Sequence, residues 1–373
     1  MNMRASAGVV LMAALTLGLS ACGSSSATGS GGSGATGGKY EAGTLTVLGS
    51  SPDINKAWQQ NVDKQFTERT GAKIVWLPGA APTNLTKLIT SKGGQPPADV
   101  VFLDTPTQTK AILAGLLQEL DRSKLTESGK QLPDRAFPNK GYGPAGIVIR
   151  LGTCVNTESL KAANIKLPDS VDAWFDPALK GHFAMSDIGT FYTQAVLPAL
   201  AKNYGISFDD PAPLLDRIKA ANPASFWTST ADVQQSLQSG QIWMTPLLDG
   251  RCLNLQLKGE PVAFRPLNLK IDGKDYRYVG FFDTWDLVKG TDKPELAHAF
   301  IDIVLNEKSM STLQEKYGYL PARTDLLEKA KADPKLKNMV GDYNPADLYV
   351  PDYKAWFSYA NKWTDAWNQS FKN

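Results

Sequence analysis

The chain has 373 residues, 42% of them hydrophobic and 20% charged, with 39 Lys and Arg against 37 Asp and Glu for a net charge of +2. That balance excludes a disordered chain, and without a basic block it also excludes nucleic acid as the expected partner. Two histidines, His182 and His298, leave little conventional acid–base chemistry near neutral pH, and no phosphate loop, nucleophile elbow or metal-binding His-Glu-x-x-His helix occurs.

The chain opens with Arg4 and an apolar run, Val9 to Leu19, that is shorter than the roughly 20 residues a bilayer span needs. Leu19-Ser20-Ala21-Cys22 then resembles the lipobox of bacterial lipoproteins. The resemblance implies that residues 1–21 are a cleaved signal and that Cys22 is acylated, tethering the protein to the outer face of the cytoplasmic membrane. One acyl chain anchors marginally and two or more anchor stably. Cleavage leaves 373 − 21 = 352 residues, and loss of Arg4 leaves 38 basic against 37 acidic side chains, a charge of +1. No later apolar run reaches spanning length, so whatever crosses the membrane in this system is another polypeptide. Residues 22–43 comprise the lipidated Cys and a linker. Its positions 23–38 hold only Gly, Ser, Ala and Thr, a flexible tether with ends roughly 20–25 Å apart.

The folded body is predicted to open with a strand at Thr44–Gly49 and a helix from Asp53, its cap, to Arg69, stopped by Gly71. A second strand at Ala72–Leu77, a short helix at Asn84–Ser91, a third strand at Ala98–Asp104 and a helix through Leu117 follow. This alternation predicts βαβ units and a mostly parallel sheet, an α/β fold. Two long β-rich runs, 146–156 and 278–288, are interrupted by Gly152 and Gly280, as expected where a strand leaves one sheet for another. Between them lies an inserted α/β unit. Its predicted elements are a strand at His182–Ser186, helices at 191–204, 213–221 and 230–239, and a strand with a turn at 242–250. Beyond the return run, a helix is expected at Pro294–Glu307 and a turn at Gly318–Pro321. Trp356, Trp363 and Trp367 stand at i, i+7 and i+11, one helical face, which reads as core packing. The expected organisation is residues 44–150 with 285–340 as lobe 1, 151–284 as lobe 2 with the hinge strands, and 341–373 as a helical segment packed on a lobe. Cys154 and Cys252 are either a disulfide, which export permits, or two separately buried thiols.

A cleft between α/β lobes receives the loops at the carboxyl ends of strands. Those ends carry Ser50, Ser51, Asp104, Thr105, Asp187, Asp249 and Asp283, with Trp227, Phe281 and Trp285 among the aromatic residues nearby, and these ten are the candidate ligand-binding residues. Carboxylates beside aromatic faces suit an organic ammonium, through charge-assisted hydrogen bonds and cation–π contacts of roughly 0.5–2 kcal/mol each. Each aspartate reads equally well as a cap or turn residue. Arg251 either pairs with a carboxylate or itself receives an anion. No catalytic residue, metal ligand or cofactor is assigned.

In chain order, the lipobox, the tether, Leu45-Thr46-Val47, Ala98-Asp99-Val100-Val101, Trp174 with Pro177-Ala178-Leu179-Lys180-Gly181, Ser239-Gly240-Gln241-Ile242 and Gly318-Tyr319-Leu320-Pro321-Ala322-Arg323 are similar to the solute-binding proteins of ABC importers. The resemblance is to extracellular solute-binding family 1, above all its spermidine/putrescine-binding branch with iron- and thiamine-binding relatives, over roughly residues 44–330. It implies a two-lobed type II periplasmic-binding fold with a two-strand hinge, no enzymatic activity, and a monomer that delivers a small solute to a permease and its ATPase. In polyamine-binding members an aromatic-X-Asp-Ser hinge segment supplies a carboxylate for an amine, and Phe281-Phe282-Asp283-Thr284 matches it. Their aromatic-Asn-Gly loop corresponds to Leu248-Asp249-Gly250, where the aromatic is missing and an acid replaces the amide, and their second-lobe acids have a loose counterpart in Asp187. The iron branch uses adjacent tyrosines, which this chain lacks. A polyamine or related amine is therefore the expected solute. The alternatives are an anionic organic solute such as a phosphonate held by Arg251 and, from a different class, a cell-surface hydrolase using paired carboxylates.

Overall fold

The computed structural model describes Tyr40, residues 43–341 and residues 343–372. Cys22, the signal and the tether, on which the lipidation expectation rests, lie outside the described residues.

The first elements are β1 (Thr44–Leu48), α1 (Pro52–Thr70), β2 (Lys73–Leu77), α2 (Ala81–Thr90), β3 (Val100–Asp104), α3 (Thr105–Leu113) and β4 (Leu117–Gln118). β1 lies between β2 and β3, parallel to both. β3 is apolar along its length because helices cover both of its faces. Val100 and Phe102 join Leu45, Val47 and Trp58 of α1 in one core, whereas Val101 and Leu103 join Leu48, Leu88 of α2 and Ala111 of α3 in another. Ser51, not Asp53, is the residue at the N-cap of α1, and Asp53 falls in its first turn. Gly71 ends the helix at φ +75°. α2 starts three residues before the expected Asn84, with Pro82 in its first turn, where a missing N–H costs nothing. α3 stops at Leu113, and Leu117 belongs to β4 rather than to that helix.

The chain continues through β5 (Ala145–Asn156), α4 (Thr157–Ala162), β6 (Ala184–Ser186), α5 (Phe191–Asn203), α6 (Ala212–Ala221), β7 (Ser225–Trp227), α7 (Thr230–Gln238), β8 (Met244–Leu248), α8 (Asp249–Leu257) and β9 (Val262–Arg265). The hairpin of β10 (Leu269–Ile271) and β11 (Lys274–Tyr276) follows, and then β12 (Tyr278–Val288). The hairpin turns on Asp272 and Gly273, both at positive φ, a local signal that the sequence reading passed over. Asp249 and Gly250 open a helix rather than a turn. Cys154 of β5 and Cys252 of α8 form a disulfide.

β5 and β12 run unbroken through Gly152 and Gly280, so neither glycine interrupts a strand. Close approach explains both. A Cβ on Gly152 would lie 2.6 Å from the Arg265 carbonyl oxygen, and one on Gly280 would lie 2.9 Å from Leu348 Cβ. The two strands pair antiparallel, and their register shifts between Asp283 and Thr284. β5 also pairs with β8 and β9, so hydrogen bonding is continuous from β2 to β9 and no strand changes sheet at Gly152. What changes is the core. Ile147, Val148 and Ile149 pack with the first-lobe helices, while Leu151, Cys154 and Val155 pack with α5, α6 and β8, which makes a two-lobed α/β fold joined by paired strands.

The C-terminal part contains α9 (Pro294–Val304), α10 (Glu307–Tyr317), β13 (Leu320–Pro321), α11 (Thr324–Ala332), α12 (Lys337–Val340), β14 (Leu348–Tyr349), α13 (Tyr353–Phe357) and α14 (Ala360–Phe371). The side chain of Asn306 caps α10, which ends the expected 294–307 helix early. The tryptophan stripe spans two helices rather than one. All three rings are fully buried in the second core, where Trp363 donates to the Phe208 carbonyl at 2.8 Å and Trp356 to Gln194 Oε1 at 3.2 Å. β14 pairs parallel with β12 at Tyr278 and Val279, so the chain crosses between the cores a third time beside the two hinge strands.

Candidate functional site

At the change of core, Arg150 stands opposite Gly280. Its Nε lies 2.8 Å from Asp249 Oδ2 in a buried ion pair, and its guanidinium sits 5.3–5.7 Å from the ring centroids of Phe264, Tyr278 and Tyr343. Asp249 is thus committed to the hinge, and its Oδ1 also accepts the Gly250 N–H at 2.7 Å. Asp187 accepts the Gly189 N–H and pairs with Lys372, both at 2.9 Å. Trp285 lies in the first core, 4.8, 4.6 and 5.2 Å from Trp58, Phe102 and Phe300. Thr105 fastens β12 to α3, because its hydroxyl donates to the Phe282 carbonyl and accepts the Phe282 N–H, both at 2.9 Å. The Ser50 N–H donates to Asn55 Oδ1 at 2.7 Å, and the Ser51 hydroxyl donates to Asp53 Oδ1.

Asp104 and Asp283 are brought together. They face each other directly across the antiparallel pairing of β3 and β12, at the carboxyl edge of β3. Asp104 Oδ1 caps α3 through the Thr107 N–H at 2.8 Å, whereas the Asp283 side chain has no hydrogen-bond partner among the described residues. Both carboxyls keep partial contact with solvent, but the protein packed around them withholds most of their hydration. Burial, and then the neighbouring Asp104 charge, hold Asp283 well above the carboxylate range. Burial also raises Asp104, against its bonds from Thr107 and the charge of Lys110.

Aromatic rings form a wall beside this pair. Phe281 meets Phe191 edge-on at 5.6 Å, Phe191 stacks on Tyr192 at 4.2 Å, and Tyr192 meets Trp227 at 4.8 Å. The Tyr192 hydroxyl is 3.4 Å from Thr230 Oγ1, while the Trp227 indole N–H donates to Thr245 Oγ1 at 2.9 Å. Burial first, and then the charge of Asp283, push the Tyr319 phenol up to about 12, while Arg251 opposes them. Arg251 also bears on Asp53 and Tyr192. Charge effects thus reach from exposed Arg251 to Asp53, Tyr192 and Tyr319, and these residues with the Asp104–Asp283 pair and the Phe281–Phe191–Tyr192 rings are the candidate site. In sequence Tyr319 belongs to the expected turn at Gly318–Pro321 and to the Gly318–Arg323 motif, and neither marks it as a site residue. Its position just before β13, which pairs with hinge strand β5, is a tertiary signal.

Deeper on β12, fully buried Asp286 accepts from Gln108 Nε2 at 2.7 Å and the Gly143 N–H at 2.9 Å, and burial raises it to about 6. Thr284 Oγ1 lies 2.7 Å from Asp286 Oδ2 and 3.1 Å from the Leu103 carbonyl. One hydroxyl hydrogen serves only one of these, so a protonated Asp286 donating to Thr284 satisfies the whole network. The native state then holds a proton that the unfolded chain releases above pH ~4, and this contribution to stability is lost as pH rises from about 4 through 6. Asp286→Asn, with its N–H₂ taking the donor role, is expected to melt about 2–4 °C higher than wild type at pH 8, with the gap closing towards pH 4. Thermal melts at the two pH values check this, and a lower melting temperature at pH 8 would contradict it.

The model of the family described as bacterial extracellular solute-binding protein matches residues 61–338. The chain belongs to that family. This solute-binding protein is similar in structure to an ABC transporter protein from Clostridium perfringens, at 20% identity over 87% of this chain and 99% of that one, with a TM-score of 0.71. It is also similar to the spermidine/putrescine-binding protein PotD from Streptococcus pneumoniae (16%, 88% and 99%, 0.66) and to iron-bound HitA from Pseudomonas aeruginosa (19%, 86% and 98%, 0.65). At these identities the neighbours share the fold, and their differing ligands leave the solute of this solute-binding protein unassigned. No curated protein matches the sequence. Members of the family are substrate-binding components of ABC transporters. They act outside the cytoplasm, bind small-molecule solutes and work with permease and ATPase components. No helix among the described residues is long and apolar enough to cross a membrane.

Proposed function

We propose that this solute-binding protein captures a small organic amine of polyamine type between lobes formed by residues 44–150 with 285–340 and by residues 151–284, and that Cys22 anchors it as a lipoprotein monomer. The observation that carries the amine reading is the Asp104–Asp283 pair, directly opposite each other across β3 and β12, with Asp283 held well above the carboxylate range by burial and by the Asp104 charge. Such a pair resists double ionisation when empty. A ligand ammonium relieves the repulsion and restores the charge-assisted hydrogen bonds that burial removes, so ligand favours the closed lobes through contacts made only there. Half-buried Tyr319 supplies a ring face for the adjoining methylenes.

Asp283→Asn keeps the size of the side chain and removes its charge. Isothermal titration with spermidine and 1,4-diaminobutane is expected to show a loss of about 2–4 kcal/mol, roughly 30- to 1,000-fold in Kd, with little change in the ligand-free melting temperature. Wild-type affinity in the variant would remove Asp283 as the amine partner. Binding of a phosphonate that strengthens in Asp283→Asn would instead favour an anion held at Arg251.

A further inference from the structure

Asp283 of β12 faces Asp104 of β3, so the residue before it in β12, Phe282, faces position 105. There β3 has ended and the chain has already turned into α3, which leaves no strand backbone to take the Phe282 N–H and C=O. The Thr105 hydroxyl takes both. It donates to the Phe282 carbonyl and accepts the Phe282 N–H, each at 2.9 Å. One side chain thus stands in for a whole antiparallel rung. Thr105 is 2% exposed and Phe282 5%, so water offers these groups little alternative.

Because Phe282 turns its N–H and C=O towards β3, Asp283 turns its own away. Asp104 and Asp283 are therefore a non-hydrogen-bonded pair, the kind in which facing side chains approach most closely. On its other side β12 pairs with β5, but that register shifts immediately after Asp283. The β3 register runs without a shift from Leu287 to Asp283, and Thr105 extends it by one residue. We infer that Thr105 is a positioning residue of the solute site, its side chain supplying the rung that locks Asp283 face to face with Asp104. Asp104 is fixed to the same stretch through the Thr107 N–H at 2.8 Å, so the start of α3 sets the place of both carboxyls. Without the hydroxyl, the Phe282 N–H and C=O are buried unbonded, and β12 relieves that cost by shifting away from α3 and taking Asp283 with it. For affinity this role rests on the amine reading given above; for the titration of Asp283 it does not.

The test compares wild type with three variants. Thr105→Val keeps the shape and removes both bonds, and Thr105→Ser keeps the hydroxyl. Thr109→Val removes another buried hydroxyl of α3, one bonded to the Thr105 carbonyl and Asn139 rather than to β12. In the ligand-free protein, carboxyl carbon NMR, with Asp283→Asn identifying the resonance, is expected to show Asp283 titrating at least about one pH unit lower in Thr105→Val, because separation weakens the Asp104 repulsion and rehydrates the carboxyl. Thr105→Ser and Thr109→Val should leave that titration in place. Calorimetry with 1,4-diaminobutane, well below the melting transition, is expected to show about a tenfold loss for Thr105→Val and less than about twofold for the other two. Thr109→Val also lowers the melting temperature, so a loss confined to Thr105→Val is not an effect of stability. Should Thr105→Val not fold, Thr105→Cys, whose thiol bonds weakly, is expected to shift Asp283 in the same direction by less. An Asp283 titration unchanged in the position-105 variant, or moved as far by Thr109→Val, overturns the positioning role whatever the ligand. If wild type does not bind the diamine while loss of the Thr105 hydroxyl still lowers Asp283, the amine reading fails and the positioning role stands.

Discussion

Asp249→Asn is expected to lower the stability of the fold by about 3–5 kcal/mol, because it takes the carboxylate away from the buried Arg150 guanidinium. Arg150 is 3% exposed, so little water reaches it to replace the lost carboxylate. The substitution keeps the volume and an oxygen for the Gly250 N–H, which isolates the ionic part of the effect. The three aromatic rings around the guanidinium remain, but cation–π contacts of about 0.5–2 kcal/mol each do not replace a hydrogen-bonded carboxylate. Replacing both partners by apolar residues, Arg150→Met with Asp249→Leu, should recover most of the loss. Denaturant midpoints of the single and double variants measure this. A wild-type midpoint for Asp249→Asn would mean that water reaches the pair.

Removing the Cys154–Cys252 disulfide, as Cys154→Ala with Cys252→Ala, should cost a comparable 2–5 kcal/mol. The bond closes a loop of 98 residues, and in the chain-entropy account a loop of about 100 residues yields roughly 4–5 kcal/mol by restricting the unfolded chain. Both sulfurs are fully buried, so reduction under native conditions should be slow and should track unfolding. Comparing guanidinium-induced unfolding of wild type and the double variant measures the cost, and quick thiol release from the native protein would contradict the burial argument. α8 is therefore held to β5 twice within one turn, by Asp249 and by Cys252, with Arg251 between them.

The parts of the fold that were readable from sequence are those whose signal is local. β3 announces itself because burial on both faces demands the apolar run from Val100 to Leu103, and the paired long strands were visible at 146–156 and 278–288. Asp283 is singled out in sequence by its aromatic hinge run, but its place opposite Asp104 comes from strand pairing that no local pattern names. The buried ion pair of Asp249 was equally hidden, since its partner, Arg150, is 99 positions away. Trp285 likewise looked like a cleft aromatic, yet the alternation of β12 turns it towards Trp58 and Phe102. Gly152 and Gly280 were misread because what they make room for, Arg265 and Leu348, comes from distant segments. The tryptophan spacing fits one helix as well as two, so periodicity could not reveal the break at Ser358 and Tyr359.

The third crossing changes what kind of joint connects the lobes. At Val279, β12 has Leu151 of β5 on one side and Tyr349 of β14 on the other. Three strands lying edge to edge form a ribbon, wide across the strands and one backbone thick through them. Such a ribbon flexes readily about an axis in its own plane and across the strands, but it resists twisting and sideways shear, because those motions stretch the hydrogen bonds that hold its width. A jaw-like swing about this ribbon is therefore the motion that keeps its hydrogen bonds intact, whereas twist or sideways shear would break them.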